Sequence, residues 1–198
     1  EPRVTEKALQ GVAALNDIFV VTGGKGTVLT SRDGKEWSKH QAPTSGILTS
    51  VEVFNNKFVA VGEEGFILSS VTGSEWVRHD SGTKNWIYRI RAFGNQVVAV
   101  GQAGTILTSI DGENWVARVS GTNQWLNDVA KAGSIWVAVG ANGTVLTSSD
   151  LVSWKSKSSI TGLSLYGALG NDGQLLSVGL EGVVIRKQIV PRSSPILI

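Results

Sequence analysis

The side chains able to do chemistry are few and widely spaced. The chain has two histidines, His40 and His79, 39 residues apart, each three positions after a tryptophan (Trp37 and Trp76). The matching positions further along hold Arg118 and Lys157. That column reads as a cationic strand edge, which discourages edge-to-edge pairing. Histidines on the rims of different repeats cannot share a metal ion, and no inward-facing histidine is on hand for a Ser-His-Asp triad. Among the acids, Glu52 and Asp128 fall on predicted strands two repeats apart, and Glu63 and Glu64 fall on an exposed turn. None forms the pair within roughly 5 to 10 Å that glycoside hydrolysis needs. With no cysteine, disulfide and thiolate chemistry are excluded. These residues point away from an enzyme, and no metal or cofactor is expected.

Composition narrows the class. A chain of 198 residues, 41% hydrophobic and 17% charged, can bury a substantial core, and it reads as a single domain over residues 1–198. A net charge of +2 is too small to make a nucleic-acid-binding field. No apolar run is long enough for a helical membrane span, so no membrane insertion is expected. The sequence lacks methionine altogether, so the chain is expected to be a processed or trimmed product; no export signal is visible in it, and a removed one is compatible with that. The expected setting is extracellular, periplasmic or on a cell surface.

The elements that position these residues repeat. The stretch VAVGQAGTILTSIDGENW, residues 98–115, recurs as VTGGKGTVLTSRDGKEW, VAVGEEGFILSSVTGSEW and VAVGANGTVLTSSDLVSW, and a shortened fifth copy reads SVGLEGVVIRK. Trp37, Trp76, Trp115 and Trp154 follow one another at 39 residues, and the copies run roughly 8–46, 47–85, 86–124, 125–163 and 164–198. Each copy opens with a strand in which Leu9, Leu48, Ile87, Leu126 and Leu165 form one apolar column, and Val12, Val51, Ile90, Val129 and Ala168 another. A second strand ends on Gly23, Gly62, Gly101, Gly140 and Gly179, each followed three residues later by a further glycine. This spacing predicts a tight hairpin with positive φ at one or both glycines. No Lys-Ser/Thr pair or helix follows, so phosphate cradling is disfavoured.

After the third strand, Asp33, Asp111 and Asp150 mark a turn, with Thr72 in the second copy. A short carboxylate there can accept backbone N–H bonds from residues two or three positions on. The tryptophan that follows covers the end of the sheet, and its N–H requires a carbonyl partner. Four short antiparallel strands per copy, at a period near 40, predict an all-β fold: a five-bladed β-propeller of four-stranded antiparallel blades of about 39 residues. Ring closure would leave no apolar end open. The fifth copy lacks an outer strand, which either Pro195-Ile196-Leu197-Ile198 or Arg3-Val4-Thr5 could supply.

The segments Thr30 to Trp37 and Thr108 to Trp115, T-S-x-D-G-x-x-W, each preceded by G-x-x-G-T-[VI]-L, resemble the Asp-box (sialidase-type BNR) repeat. They look still more like the propeller repeats of the photosystem II stability and assembly factor family. The resemblance covers nearly the whole chain and implies the propeller fold. For function it implies little, because the motif is a structural turn found in lectins, hydrolases, receptors and assembly factors alike. That assembly-factor family has more than five blades, and nothing in this sequence identifies a photosynthetic partner. Sialidase chemistry, by the same resemblance, would need clustered arginines with a Tyr/Glu pair, whereas Tyr88 and Tyr166 stand two repeats apart.

Topology groups the remaining candidates on one face. The turns carrying Lys25, Glu63, Glu64, Gln102, Asn142 and Glu181 emerge at the same end as the linkers SGTKNW and SGTNQW, which finish at Trp86 and Trp125. The counterparts of those tryptophans are Ala8, Ile47 and Ser164, so the third and fourth repeats form an aromatic sector. Each ring is either a plug over the neighbouring blade or part of a recognition surface. Polar residues of the innermost strands, Thr49, Tyr88, Arg89, Asn127, Asp128 and Tyr166, border the axis, and Arg89 and Asp128 could pair across adjacent blades or anchor a ligand. The sequence therefore favours a non-enzymatic binding or assembly scaffold for a protein partner. Trp86, Trp125, Tyr88, Arg89, Asn127, Asp128, Gln102 and Asn142 are its candidate contacts. The alternatives are a lectin-like carbohydrate binder and, less favoured, a glycoside hydrolase.

Overall fold

The computed structural model describes residues 4–158, 161–171 and 173–189. The chain forms five antiparallel sheets, one per repeat. The first holds β1 (Leu9–Leu15), β2 (Ile18–Gly23), β3 (Thr27–Ser31) and β4 (Ser38–Gln41), and the second β5 (Leu48–Phe54), β6 (Lys57–Gly62), β7 (Ile67–Ser70) and β8 (Val77–His79). The third holds β9 (Ile87–Phe93), β10 (Gln96–Gly101), β11 (Ile106–Ser109) and β12 (Val116–Ala117), and the fourth β13 (Leu126–Ala132), β14 (Ile135–Gly140), β15 (Val145–Ser148) and β16 (Lys155–Ser156). The fifth has three strands among the described residues, β17 (Leu165–Asn171), β18 (Gln174–Gly179) and β19 (Val184–Gln188). Strands within each sheet pair in sequence order, and the innermost strands β1, β5, β9, β13 and β17 pack successively against one another. This is the five-bladed propeller architecture that the repeats predict.

Alternating side chains give each blade two apolar faces, and each face is sealed by the next blade. Between blades 3 and 4, Val98, Val100 and Ile106 of one meet Leu126, Val129, Ala138, Leu146 and Trp154 of the other. The same columns meet between blades 1 and 2 through Val20 and Val28 against Leu48, Val51, Phe58 and Leu68. They meet again between blades 4 and 5 through Val137, Val139 and Val145 against Leu165, Leu175 and Ile185. Trp76 and Trp115 pack on the clusters shared with their preceding blades, as Trp154 does.

Ring closure is not made by the described residues. The two end blades share no packed face of the kind that joins consecutive blades. The closing segment Pro195 to Ile198 lies outside the described residues, as does Arg3, while Val4 and Thr5 are described and form no strand. The rear face of blade 1 and the forward face of blade 5 are accordingly exposed, with Val12 at 68% and Val184 at 66% of full accessibility.

The paired glycines have two different causes. The second of each pair, Gly26, Gly65, Gly104, Gly143 and Gly182, has φ between +64° and +73°, as expected for a left-handed turn. The first is extended: at Gly101 a Cβ would strike the Trp86 carbonyl oxygen, and at Gly140 that of Trp125. Close approach to the incoming linker, not positive φ, therefore selects glycine there. Positive φ falls instead on the residue before the second glycine, Lys25, Glu64, Ala103, Asn142 or Glu181.

The aspartate turns close as expected. Asp111 Oδ1 accepts the backbone N–H groups of Glu113 (2.9 Å) and Asn114 (2.8 Å), and Asp33 and Asp150 accept the equivalent pairs. Thr72 makes longer versions of 3.3 and 3.4 Å. Trp37, Trp76 and Trp115 donate Nε1–H to the carbonyls of Gly34, Gly73 and Gly112. Trp154 departs from this expectation: Leu151 takes the place of glycine, and the buried indole N–H has no partner among the described residues. Hydrogen bonds from Asn114, from the Glu113 amide and from Ser109 hold the Asp111 carboxyl well below its ordinary value of 3.8. A depressed folded-state pKa adds stability above the unfolded value that is lost as pH falls below it. In thermal melts, wild type should exceed Asp111→Asn in Tm at neutral pH, and the gap should shrink as pH drops below 3.8. A pH-independent gap would contradict the assignment.

Candidate functional site

Each innermost strand carries a β-bulge one residue from its start. Pairing jumps from Leu48 to Ser50, from Ile87 to Arg89, from Leu126 to Asp128 and from Leu165 to Gly167, leaving Thr49, Tyr88, Asn127 and Tyr166 as the bulged residues. A bulge re-aims the extra side chain. Thr49 Oγ1 donates to the Ile87 carbonyl (2.5 Å) and Asn127 Nδ2 to the Leu165 carbonyl (2.8 Å), so both tie one blade to the next. Tyr88 instead lies between two indoles, with its ring centroid 6.2 Å from that of Trp86 and 5.7 Å from that of Trp125. Trp86 and Tyr88 are half-buried, Trp125 is 51% exposed, and burial pushes the Tyr88 hydroxyl pKa up. The two linker tryptophans thus form one aromatic row with an axial tyrosine.

The turns hold this row in place. Gln102 donates its backbone N–H to the Trp86 carbonyl (2.8 Å), and its side-chain Oε1 accepts the Trp86 N–H (3.3 Å). Glu63 does the same for the preceding linker, through the Ile47 N–H at 2.8 Å. Gln102 is therefore a support for Trp86. Asn142 is exposed, and its Nδ2 donates to Gln124 Oε1 at 2.9 Å, next to Trp125.

A charged cluster lies beside the row on the inner strands. Asp128, 1% exposed, accepts a two-pronged bond from Arg91 (3.1 and 3.2 Å) and the backbone N–H groups of Val129 (2.9 Å) and Ala168 (3.0 Å). The expected partner, Arg89, is nearby at 3.7 Å, but its Nε makes no hydrogen bond among the described residues. Arg91 escaped the sequence reading, although as the residue two positions along β9 it lies on the same side as Arg89. The Asp128 bonds raise the Arg91 pKa above its ordinary value. With four donors on its two oxygens, Asp128 ties blades 3, 4 and 5 together.

The histidines are likewise committed. His40 Nε2 shares a hydrogen bond with Thr30 Oγ1 (2.8 Å) and His79 Nε2 one with Ser69 Oγ (2.7 Å), the place that Arg118 takes with Thr108. Among the described residues no group of three or more His, Cys, Asp or Glu side chains is placed to hold a metal ion.

A family model described as the DUF6242 beta propeller domain matches residues 2–127. The chain belongs to that family. No curated protein matches the sequence. Among solved structures, the fold is similar to that entitled "YCF48 bound to D1 peptide", at 21% identity and a TM-score of 0.72, over 92% of this chain and 65% of that one. YCF48 from Cyanidioschyzon merolae is similar at 18% identity and a TM-score of 0.73, over 96% and 70% of the two chains. The WD40 beta propeller domain of Doa1 reaches a TM-score of 0.79 at 14% identity, over 94% and 67%. At these identities the likeness is one of fold. The DUF6242 chain spans about two thirds of the length of the propellers it matches.

Removing Asp128 leaves Arg91, 41% exposed, to be solvated, but takes the acceptor from the Val129 and Ala168 amides. Asp128→Ala should cost about 1 to 3 kcal/mol in urea unfolding, and Arg89→Ala, which breaks no hydrogen bond, less than about 1 kcal/mol. Equal losses would show that Arg89 carries the pairing.

Proposed function

We propose that this DUF6242 propeller is a non-enzymatic binding scaffold that takes a protein segment on the face bearing Trp86, Tyr88 and Trp125. The carrying observation is the aromatic row itself: two linker indoles and a bulged tyrosine in mutual contact, half-buried at one end and open at Trp125. Rigid aromatic side chains offer large contact area at little entropic cost, which suits a binding hot spot. Support also comes from the commitment of the polar groups around it. Gln102 and Asp128 spend their hydrogen bonds on holding the fold, and each histidine is tied to a hydroxyl of the neighbouring strand. A protein of the same fold has been solved with a peptide bound. The row occupies blades 3 and 4 only, which favours a single peptide site over the repeated sites of a sugar-binding propeller.

Panning a random peptide library against the purified chain tests this reading. Selected peptides should bind Trp125→Ala and Tyr88→Ala at least about tenfold more weakly, a loss of about 1.4 kcal/mol, with circular dichroism unchanged. Glycan-array binding abolished by the same substitutions would point to carbohydrate, and peptide affinities insensitive to both would place the site elsewhere.

A further inference from the structure

The aromatic row sets the chemistry of its ligand as well as its place. Its two steps measure 6.2 Å from Trp86 to Tyr88 and 5.7 Å from Tyr88 to Trp125, and they join rings inclined at 49° and 39°. Rings so inclined make a corrugated surface and not one flat stack. A ligand running along it must offer apolar groups at a similar step. Two residues of an extended chain advance about 6 to 7 Å, in polyproline II and in a β-strand alike. The spacing therefore admits an extended segment, and hydrogen bonding decides its kind.

The clamps that hold the row leave donors on it. The Trp86 backbone N–H can only donate, so Gln102 meets it with Oε1, and the NH2 end of that amide has no intramolecular partner among the described residues. The indole N–H groups of Trp86 and Trp125 have none there either, whereas those of Trp37, Trp76 and Trp115 are spent on carbonyls of their own turns. The carbonyls of both linker tryptophans are already taken, by the amides of Gln102 and Ala141. Around Trp125 the surface is also uncharged: the turns Gln102–Gly104 and Ala141–Gly143 and the linker 122–125 between them carry no ionisable side chain. A charged ligand group buried there would lose water without gaining a counter-ion. A ligand in β conformation would bring an N–H at each residue, and the indoles and Gln102 would meet it with further donors. A run of proline brings no N–H, leaves its carbonyls unpaired and presents apolar rings. We infer that the row takes an uncharged, proline-rich segment in the polyproline II conformation, its rings against Trp86, Tyr88 and Trp125 and its carbonyls accepting from the two indoles and Gln102. The segment arrives already ordered, which lowers the entropic cost of docking. This rests on the row being a peptide site and narrows what that site accepts.

Isothermal titration calorimetry with synthetic decaproline, set against a neutral Ala-Gly-Ser peptide of equal length, tests this. The 198-residue chain should bind decaproline at least about tenfold more tightly than the control, with an affinity insensitive to salt because no ion pair is made. Trp125→Ala should weaken that binding at least about tenfold. Gln102→Glu keeps the oxygen that holds Trp86, as Glu63 does for the preceding linker, but removes the NH2. It should weaken decaproline binding at least about threefold while Tm and circular dichroism stay unchanged. If decaproline binds no better than the control, while panned peptides without proline still depend on Trp125, the inference is overturned and the peptide site stands. Decaproline binding that survives both substitutions would also overturn it. The absence of any Trp125-dependent peptide would remove the site and the inference together.

Discussion

The structure rests on one constraint: a sheet that is apolar on both faces is stable only between two others. Each interior interface joins a few aliphatic side chains from the forward face of one blade to three or more apolar side chains from the rear of the next. At roughly 1.5 to 3 kcal/mol for each fully buried large apolar side chain, such an interface contributes on the order of 10 kcal/mol or more before chain ordering is charged against it. Short strands of four to seven residues, poorly stable as lone hairpins, persist because their neighbours cover them. Trp76, Trp115 and Trp154 extend the seal toward the outer rim.

The aromatic row is a by-product of the same stacking. Consecutive blades are joined by a linker that must cross close to the hairpin between the second and third strands. The extended glycine of that hairpin lets the linker carbonyl approach, and the following amide donates to it, as Gln102 does to Trp86 and Ala141 to Trp125. The linkers are thereby held at fixed places on one end of the barrel of blades. Where they carry tryptophan, and where the intervening bulge carries tyrosine, the clamps deliver three rings into one row. Rigid placement of this kind lowers the entropic cost of binding.

Most of the architecture was legible because each feature recurs at one spacing. The glycine columns, the aspartate turns and the plug tryptophans repeat for local reasons that a sequence exposes directly. The aromatic row was legible in part: the linkers placed Trp86 and Trp125 on one face, while Tyr88 was read as an axial residue and its bulge brought it to them. Arg91 was hidden because pairing was inferred from equal height in the repeat, whereas Asp128 is reached by the longer diagonal from the next residue on the same side of β9. The cause of the extended glycines was hidden too, since steric contact with a linker carbonyl leaves no signature distinct from positive φ.

Native-state hydrogen exchange tests the central constraint most directly. If each sheet is stabilised by being enclosed, amides of β6, β10 and β14 should exchange only through global unfolding, while those of β2 and β18, in blades with one open face, should exchange faster and with a smaller opening free energy. Equal protection across all five second strands, or greatest protection in the end blades, would contradict the account.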